Sequence, residues 1–196
     1  MPDKYSSFEQ LTTSESSDAY QISCEFRRSA VAIVAPHAGK IEPGTSEICR
    51  EIAGRELTFY LFEGCKSSAN SDLHITSTRF DEPIALKVIS DADTVVTIHG
   101  QSGDEMFVNV GGLDQMLGNK IIESLTAFGC AAGRRSEPHL QGRDPLNICN
   151  KGNSGSGVQL EISRALRDQL RLNYADLVSF SEAIRSVLLS PESNIL

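Results

Sequence analysis

A short apolar run near the start of the chain, at residues 30–35, constrains the fold more than any other feature. The run Ala-Val-Ala-Ile-Val-Ala is too short for a core helix and is followed by a proline, which together predict a buried strand. His37 comes directly after this proline, and Glu42 immediately precedes a Pro-Gly-Thr-Ser helix start. Because functional groups collect where buried strands end in loops, we expect His37 and Glu42 to belong to one site.

Short strands alternate with helical segments along most of the chain. Strands are predicted at residues 22–28, 30–35, 57–62, 73–78, 94–100, 105–110 and 157–162. Helices are predicted at residues 43–54, 83–90, 113–128, 164–172 and 176–189, and the long connection 130–156 is irregular, which is typical of a functional loop. This pattern predicts an α/β fold, a three-layer α/β/α sandwich with a mixed, largely parallel central sheet. We expect a single catalytic domain over residues 1–196, with a polar N-terminal arm or short helix at 1–20.

The charge and the cysteines exclude several classes of protein. A net charge of −8 argues against a nucleic-acid partner, which requires a concentrated basic surface. Five cysteines without a Cys-x-x-Cys pair argue against a disulfide framework and against a multi-cysteine zinc site. The start Met-Pro-Asp-Lys leads into polar sequence, so no signal peptide is expected and the protein should be made in the cytoplasm. No apolar run reaches the roughly 18 residues of a membrane span.

Two of the histidines occur in the same sequence context. His37 and His99 each follow a buried strand, and in a parallel sheet both would emerge at the carboxyl edge. With Glu42 they form a set of two histidines and one carboxylate, which suits a catalytic zinc ion that keeps a position open for water. The alternative is that each histidine is a hydrogen-bonded strand cap without a metal.

Glu161 lies inside the last apolar strand. Burial of a carboxylate is costly unless the group is paired or used in chemistry. An ion pair with Arg164 or Arg167 would make it structural. The functional alternative is a general base that takes a proton from the attacking water and returns it to the leaving amine. Glu63 and Glu105 are weaker candidates for the base.

Several separated motifs of the chain resemble one known family. They are Pro36-His37, Glu-Pro-Gly-Thr-Ser-Glu at 42–47, Leu-His-Ile-Thr-Ser-Thr at 73–78, Thr-Ile-His-Gly at 97–100 and Gly-Val-Gln-Leu-Glu-Ile at 157–162. In this order they are similar to the poly-γ-glutamate hydrolases of bacteriophages and prophages. The resemblance implies a zinc carboxypeptidase-like fold and one zinc ion bound by His37, Glu42 and His99. It also implies that Glu161 is the catalytic glutamate.

The spacing of the first two ligands departs from the wider zinc carboxypeptidase pattern. Those enzymes usually carry His-x-x-Glu, whereas four residues separate His37 from Glu42 here. An asparagine-arginine pair that would bind a terminal carboxylate is not evident between Glu42 and His99. The resemblance and this departure together predict a zinc-dependent hydrolase that cleaves γ-glutamyl amide bonds within the polymer.

Substrate recognition should use cationic or polar side chains, because each γ-glutamyl residue carries a free α-carboxylate. Arg79 is the first choice and Arg143 the second, and Asn150 lies in the same glycine-rich connection as Arg143. His74 could donate a hydrogen bond to the substrate or to the oxyanion of the tetrahedral intermediate. The other basic residues of the connection are left outside the site: Arg134 and Arg135 as a solvated turn, and His139 unassigned.

Two other functions stay open. The same metal and base would serve a zinc amidase acting on small N-acyl or N-formyl amino acids, or on γ-glutamyl links of cell-wall peptides. A non-catalytic polymer-binding module is the alternative from another class, although a full ligand set beside Glu161 favours an enzyme. The predicted partner is the polymer, with no nucleic acid and no membrane, and a monomer is expected. If the polymer is a capsule, lysis of the host cell would release the enzyme to act outside it.

Overall fold

A mixed sheet of seven strands forms the centre of the structure, a computed structural model that describes residues 3–190. The strands are β1 (Tyr20–Glu25), β2 (Val31–Gly39), β3 (Thr58–Gly64), β4 (Thr94–Gln101), β5 (Val108–Gly111), β6 (Ala132–Gly133) and β7 (Val158–Ser163). Their order across the sheet is β1-β3-β2-β4-β7-β5-β6. The central strands β3, β2, β4 and β7 are parallel, while β1 and β5 pair antiparallel with β3 and β7. The predicted mixed, largely parallel sheet is confirmed.

Helices cover both faces of this sheet. They are α1 (Phe8–Ser14), α2 (Thr45–Ala53), α3 (Pro83–Ser90), α4 (Gln115–Ala127), α5 (Arg164–Leu172) and α6 (Tyr174–Leu188). The helices α2, α4, α5 and α6 pack into one hydrophobic core, to which Ile52, Ile121 and Phe180 contribute. The helices α1 and α3 contribute Leu11 and Val88 to a second core. The sheet between these cores gives the three-layer α/β/α arrangement that the sequence predicts. Within residues 3–190, no helix has the length and apolar character needed to cross a bilayer.

The apolar run before His37 lies in the middle of the sheet. Along β2, Ile33 belongs to the first core and Val34 to the second, so both faces of the strand are buried and both need apolar side chains. The strand is longer than predicted, and its ladder with β3 is irregular between Ala35 and Ala38. Pro36 explains the irregularity, because a proline has no N–H to donate to the ladder. Irregularities of this kind redirect the side chains beside them, and His37 lies within this one.

Residues 73–78 are not a strand, and that prediction is wrong. Asn70–Leu73 form a short 3-10 helix, after which the chain runs irregularly over the second core. Leu73 and Ile75 are buried there, while the residues that alternate with them are half-buried. The alternation in burial is therefore real, but a strand also requires a hydrogen-bonded neighbour, and the described sheet provides none for this segment.

The remaining differences from prediction concern the ends of elements and the two irregular segments. Strands β1 and β5 are shorter than expected. The connection after α4 contains β6 and two 3-10 helices, Pro138–Leu140 and Ile148–Asn150. The N-terminal arm contains α1 and buries Tyr5 and Leu11 in the second core, so the arm is a packed part of the fold.

Candidate metal centre

A cleft of about 800 Å³ opens at the carboxyl end of the central strands. Its wall contains His37, Glu42, His99 and Glu161. Strands β2 and β4 carry the two histidines, the loop after β2 carries Glu42, and β7 carries Glu161. In the ladder between β4 and β7, Glu161 is the direct partner of His99. The four side chains meet because the carboxyl ends of parallel strands share one edge of the sheet.

The three predicted ligands converge in this cleft. One potential ligand atom from each of His37, Glu42 and His99 lies within 4.8 Å of the other two. Nδ1 of His37 is 3.2 Å from Nδ1 of His99 and 3.3 Å from Oε1 of Glu42. The other carboxylate oxygen, Oε2 of Glu42, accepts a hydrogen bond of 2.7 Å from the backbone N–H of Gly100. The unusual spacing between His37 and Glu42 is therefore compatible with a closed site.

A tight turn brings Glu42 back to His37. The N–H of Glu42 donates to the carbonyl of His37 at 2.9 Å, and the carbonyl of Glu42 accepts from the hydroxyl of Thr45 at 2.8 Å. Gly44 precedes α2 with a φ of +103°, a backbone conformation that residues other than glycine rarely adopt. The Pro-Gly-Thr-Ser segment thus forms the helix start and also fixes the return of the carboxylate.

The outer hydrogen bonds of the histidines leave donor atoms for a metal. Nε2 of His37 lies 2.9 Å from the carbonyl oxygen of Ile75, which can only accept, so Nε2 carries a proton and Nδ1 is the nitrogen left to bind a metal. Nε2 of His99 lies 3.4 Å from the hydroxyl of Ser77. Such outer bonds are typical of metal-ligating histidines. Two imidazole nitrogens and one carboxylate oxygen at this distance fit a divalent cation such as zinc.

The charges of the cluster also fit a cation. Burial, together with the neighbouring charge of His37, lowers the pKa of His99 to about 3, so this ring is neutral at physiological pH. Burial also acts to lower the pKa of His37, but the carboxylate of Glu42 outweighs burial and raises it. Burial acts to raise the pKa of Glu42, and the charge of His37 reverses that effect. A bound cation would replace the proton that the ionised Glu42 stabilises on His37.

Glu161 is a buried carboxyl, 8% exposed, without an ion-pair partner among residues 3–190. Its Oε1 accepts a hydrogen bond of 2.9 Å from Nε2 of Gln159. Burial, together with the negative charge of Glu42, raises its pKa to about 8, although the charge of Arg167 acts in the opposite direction. Arg164 pairs instead with Asp168, at 2.7 Å. The structural alternative for Glu161, an ion pair with Arg164 or Arg167, is therefore not what the structure shows.

Asp3 of the N-terminal arm binds two of the predicted substrate residues. Its Oδ1 lies 2.7 Å from Nδ1 of His74, and its Oδ2 accepts from Nη2 of Arg79 and from the N–H of Thr76, each at 2.7 Å. His74 lines the cleft, with its ring stacked on His37 at a centroid distance of 3.9 Å. Arg79, the first choice from sequence, is not among the residues of the cleft wall, and its guanidinium pairs with Asp3. The sequence gives no pattern that would single out Asp3, because it is one acid in a polar segment.

The irregular connection after α4 contributes two arginines to the cleft. Arg143 lines it and is exposed. Arg135, interpreted from sequence as part of a solvated turn, also lines it, with its guanidinium carbon 4.3 Å from the ring centroid of Phe107. The available signal for Arg135 was its place in an unusually long connection.

Asn150 does not reach the cleft, and its predicted role in substrate binding is corrected. Its side chain is buried and bonds to four backbone groups: the N–H groups of Leu113 and Gly157 and the carbonyls of Gly142 and Asp144. Asn150 therefore shapes the connection that carries Arg143. The side chain of His139, from the same connection, lies outside the described part of the structure.

The fold and the site together define an α/β protein with a candidate centre of two histidines and one carboxylate in an open cleft. The chain matches the family model of poly-γ-glutamate hydrolase over residues 5–179, which is most of its length. It belongs to the poly-γ-glutamate hydrolase family, as the motifs predicted.

Relatives and solved structures agree with this assignment. UPF0714 protein YndL of Bacillus subtilis (strain 168) is 40% identical over 170 residues, which cover 86% of this chain and 67% of YndL. The SPbeta prophage-derived UPF0714 protein YoqZ of the same strain is 43% identical over 169 residues, covering 86% of this chain and 61% of YoqZ. A bacteriophage poly-γ-glutamate hydrolase structure is 35% identical with a TM-score of 0.89, covering 95% of this chain and 96% of its own. A zinc-free apo structure of YndL is 35% identical with a TM-score of 0.91, covering 99% and 100%.

Proposed function

We propose that this protein is a zinc-dependent hydrolase that cleaves γ-glutamyl amide bonds within poly-γ-glutamate, with one zinc ion held by His37, Glu42 and His99. The observation that carries the proposal is the convergence of these ligand atoms within 4.8 Å in the cleft that also holds Glu161. Membership of the family supports the substrate class. The description of one similar structure as zinc-free supports zinc as the metal.

Glu161 is the proposed general base and, later, the general acid. Bound zinc would lower the pKa of a water molecule and polarise the scissile carbonyl. A carboxylate oxygen of Glu161 takes the proton of the attacking water and then donates it to the nitrogen of the leaving amine. Gln159 orients this carboxyl through its hydrogen bond to Oε1. The pKa of Glu161 is about 8 without a cation, and a nearby cation would lower this pKa toward neutral pH. A pKa near the working pH suits a group that both accepts and donates a proton.

Arg143 and Arg135 are the proposed ligands of the substrate α-carboxylates. A chain with a net charge of −8 repels a polyanion at long range, so binding needs local cations. Arg143 is exposed on the cleft wall and has no ion-pair partner in the described structure. His74 is the proposed hydrogen-bond donor to the substrate or to the oxyanion. Its Nδ1 donates to the carboxylate of Asp3, so Nε2 is the nitrogen left for that contact, and Nε2 can donate only when the ring is the doubly protonated imidazolium.

We propose that the cleaved bond lies within the polymer and not at its end. Between Glu42 and His99, none of the described residues contributes an arginine to the cleft wall, so a pair for a terminal carboxylate is not found there.

We further propose that residues 1–196 act as a single catalytic domain and as a monomer, without nucleic acid or membrane partners. The prophage and bacteriophage origins of the relatives support action on capsule polymer outside the cell after host lysis.

Metal analysis combined with product sizing tests this function. The purified protein should contain one zinc per molecule and should shorten poly-γ-glutamate, measured by size-exclusion chromatography, before free glutamate appears. A chelator should stop the reaction and added zinc should restore it. A metal-free protein whose activity survives chelation would overturn the zinc mechanism. Release of a small acid from N-acylglutamate without shortening of the polymer would indicate the amidase, and binding without any cleavage would indicate the polymer-binding module.

A further inference from the structure

Arg167 is a cation buried close to the proposed metal centre. It lies on α5, is 4% exposed, and has no carboxylate within ion-pairing distance among the described residues. Its guanidinium donates to three backbone carbonyls: Nε to Ile162 at 3.0 Å, Nη2 to Gln101 at 3.2 Å, and Nη1 to Pro43. Burial of a charge is costly, and these bonds to backbone oxygens compensate for part of that cost.

The three carbonyls belong to the three segments that carry the site. Pro43 follows Glu42 directly, Ile162 follows Glu161 directly, and Gln101 lies two residues after His99. These segments are the loop after β2, the end of β7 and the end of β4, which are distant in sequence. A single guanidinium therefore connects the backbone beside two proposed ligands with the backbone beside the proposed base. Its planar fork of donors fixes their relative positions in a way that a flexible ammonium group cannot.

Two glycines make room for this side chain. A Cβ atom on Gly100 would lie 2.5 Å from the guanidinium carbon of Arg167, and a Cβ atom on Gly44 would lie 2.9 Å from Cβ of Arg167. Gly100 belongs to the Thr-Ile-His-Gly motif and Gly44 to the Pro-Gly-Thr-Ser motif. The absence of side chains at these positions is thus explained by the passage of Arg167 beneath the cleft.

We propose that Arg167 is a positioning residue that holds the segments of Glu42, His99 and Glu161 in the arrangement needed for metal binding and proton transfer. It acts through the backbone and touches neither substrate nor metal. The part of this inference that concerns catalysis rests on the proposed hydrolase function. The part that concerns the order of the three segments does not.

Two substitutions at position 167 and one matched control test the proposal. Arg167→Lys keeps the charge and most of the length but loses the fork, while Arg167→Met keeps an apolar stem and loses all the donors. Arg164→Met is the control, because Arg164 is an exposed arginine on the same helix that pairs only with Asp168 in the described structure. If Arg167→Met does not fold, the lysine variant decides the test.

Amide hydrogen exchange of the metal-free protein is the readout that does not depend on activity. Arg167→Lys should speed exchange in all three segments, at residues 42–46, 99–103 and 161–163, on the order of tenfold, with the rest of the sheet unchanged. Zinc affinity, measured by competition with a chelator, should fall on the order of 10- to 100-fold, and kcat should fall by a similar factor with little change in KM. Gly100→Ala, which displaces the guanidinium without removing it, should change exchange and zinc affinity in the same direction.

Each outcome decides the proposal. The proposal would be overturned if Arg167→Lys had the same exchange rates and the same zinc affinity as the wild type and Arg164→Met. A loss of protection spread over the whole molecule would also overturn it, because that result would show a general stabilising role. If the wild type does not cleave the polymer, the proposed function fails, while exchange in the three segments still decides the role of Arg167.

Discussion

Glu161 shows how the position of one side chain sets its chemistry. It is a strand residue in register with His99, it is buried, and it shares the cleft with the negative charge of Glu42. Burial and that charge together raise its pKa to about 8. Because its hydrogen-bond partner is the neutral amide of Gln159, it remains available for proton transfer. The same residue in an ion pair with arginine would have been a permanently charged anchor.

Replacement of Glu161 by glutamine should separate metal binding from catalysis. Glu161→Gln keeps the shape and the burial of the side chain, so zinc content should equal that of the wild type. Turnover of poly-γ-glutamate should fall by about 10²–10⁴-fold, because proton transfer is lost. Glu63→Gln is the matched control, since Glu63 bonds to Ser23 and Arg50 on another part of the sheet. Near-normal turnover in Glu161→Gln would show that Glu161 is not the base.

The same variant should change how stability depends on pH in the metal-free protein. The pKa of Glu161 is raised from 4.5 to about 8 in the folded state, so the fold holds this proton more tightly than the unfolded chain does. Its contribution to stability is therefore present below about pH 4.5 and is lost as the pH rises toward about 8. The glutamine variant stays neutral throughout. Its free energy of unfolding relative to that of the wild type should therefore rise by at least about 1 kcal/mol as the pH goes from about 5 to about 8.

Denaturant unfolding of Glu161→Gln and the wild type at about pH 5 and about pH 8, with chelator present, measures this difference in the free energy of unfolding. A difference between the two proteins that does not change with pH would contradict the assignment of the raised pKa to Glu161.

The N-terminal arm is a segment whose role depends on one contact. Asp3 accepts three hydrogen bonds and fixes the ring orientation of His74, which stacks on His37. Burial acts to raise the pKa of Asp3, but the N–H of Thr76 and the hydrogen bond to His74 outweigh it and lower the pKa to about 2. The carboxylate is therefore charged at all pH values near neutrality.

Asp3→Ala should lower kcat/KM on the order of tenfold, because His74 loses its fixed orientation, and should lower stability by about 1–2 kcal/mol. Asp72→Ala is the control, since Asp72, in the 3-10 helix Asn70–Leu73, forms a more exposed ion pair with Lys4 of the same arm. Steady-state kinetics and thermal unfolding of both variants provide the measurement. Equal effects of the two substitutions would mean that the arm acts only by general packing.

The connection between α4 and β7 is the segment expected to select the polymer. Arg143→Ala should raise KM on the order of tenfold with little change in kcat, because a charge-assisted contact to a carboxylate away from the reacting bond is lost. Arg171→Ala, which removes an exposed arginine paired with Glu47, should leave both constants unchanged. Kinetics at low and high salt test the reason as well, since the difference between Arg143→Ala and wild type should shrink as salt screens the contact.

The fold as a whole builds the candidate metal centre from the sheet outward. The proposed ligands lie on strands and a tight turn whose positions are set by two hydrophobic cores, so we expect the site to assemble without a metal. Chelation should therefore abolish activity while the circular dichroism spectrum stays native. Zinc should still stabilise the protein, because a ligand that binds only the folded state raises the free energy of unfolding. At a free concentration of about 100 times its Kd, this increase is about 2.7 kcal/mol.

Thermal unfolding with and without zinc measures this linkage. His99→Ala should abolish the zinc-dependent rise in Tm. His74→Ala, which changes the same residue type in the same cleft without removing a proposed ligand, should keep most of it. A zinc-dependent rise that survives in His99→Ala would place the metal elsewhere.

Patterns along the chain were sufficient for the elements and for the residue types of the site. The apolar runs before His37 and His99, and the run around Glu161, predicted buried strands, and the structure places all three in the parallel centre of the sheet. Periodicity works at these places because burial on both faces demands an unbroken apolar run. It failed at 73–78, where alternating burial occurs without a neighbouring strand.

The partners of those residues were decided only by the tertiary structure. Asp3 and His74 are 71 positions apart, and Arg167 and Pro43 are 124 apart, so no local pattern connects them. The same holds for Arg135 in the cleft and for Asn150 behind it, because both depend on how an irregular connection closes over the sheet. Local sequence determines which residues are buried and in which element they lie. Which buried groups meet depends on strand order, and strand order follows from packing over the whole molecule.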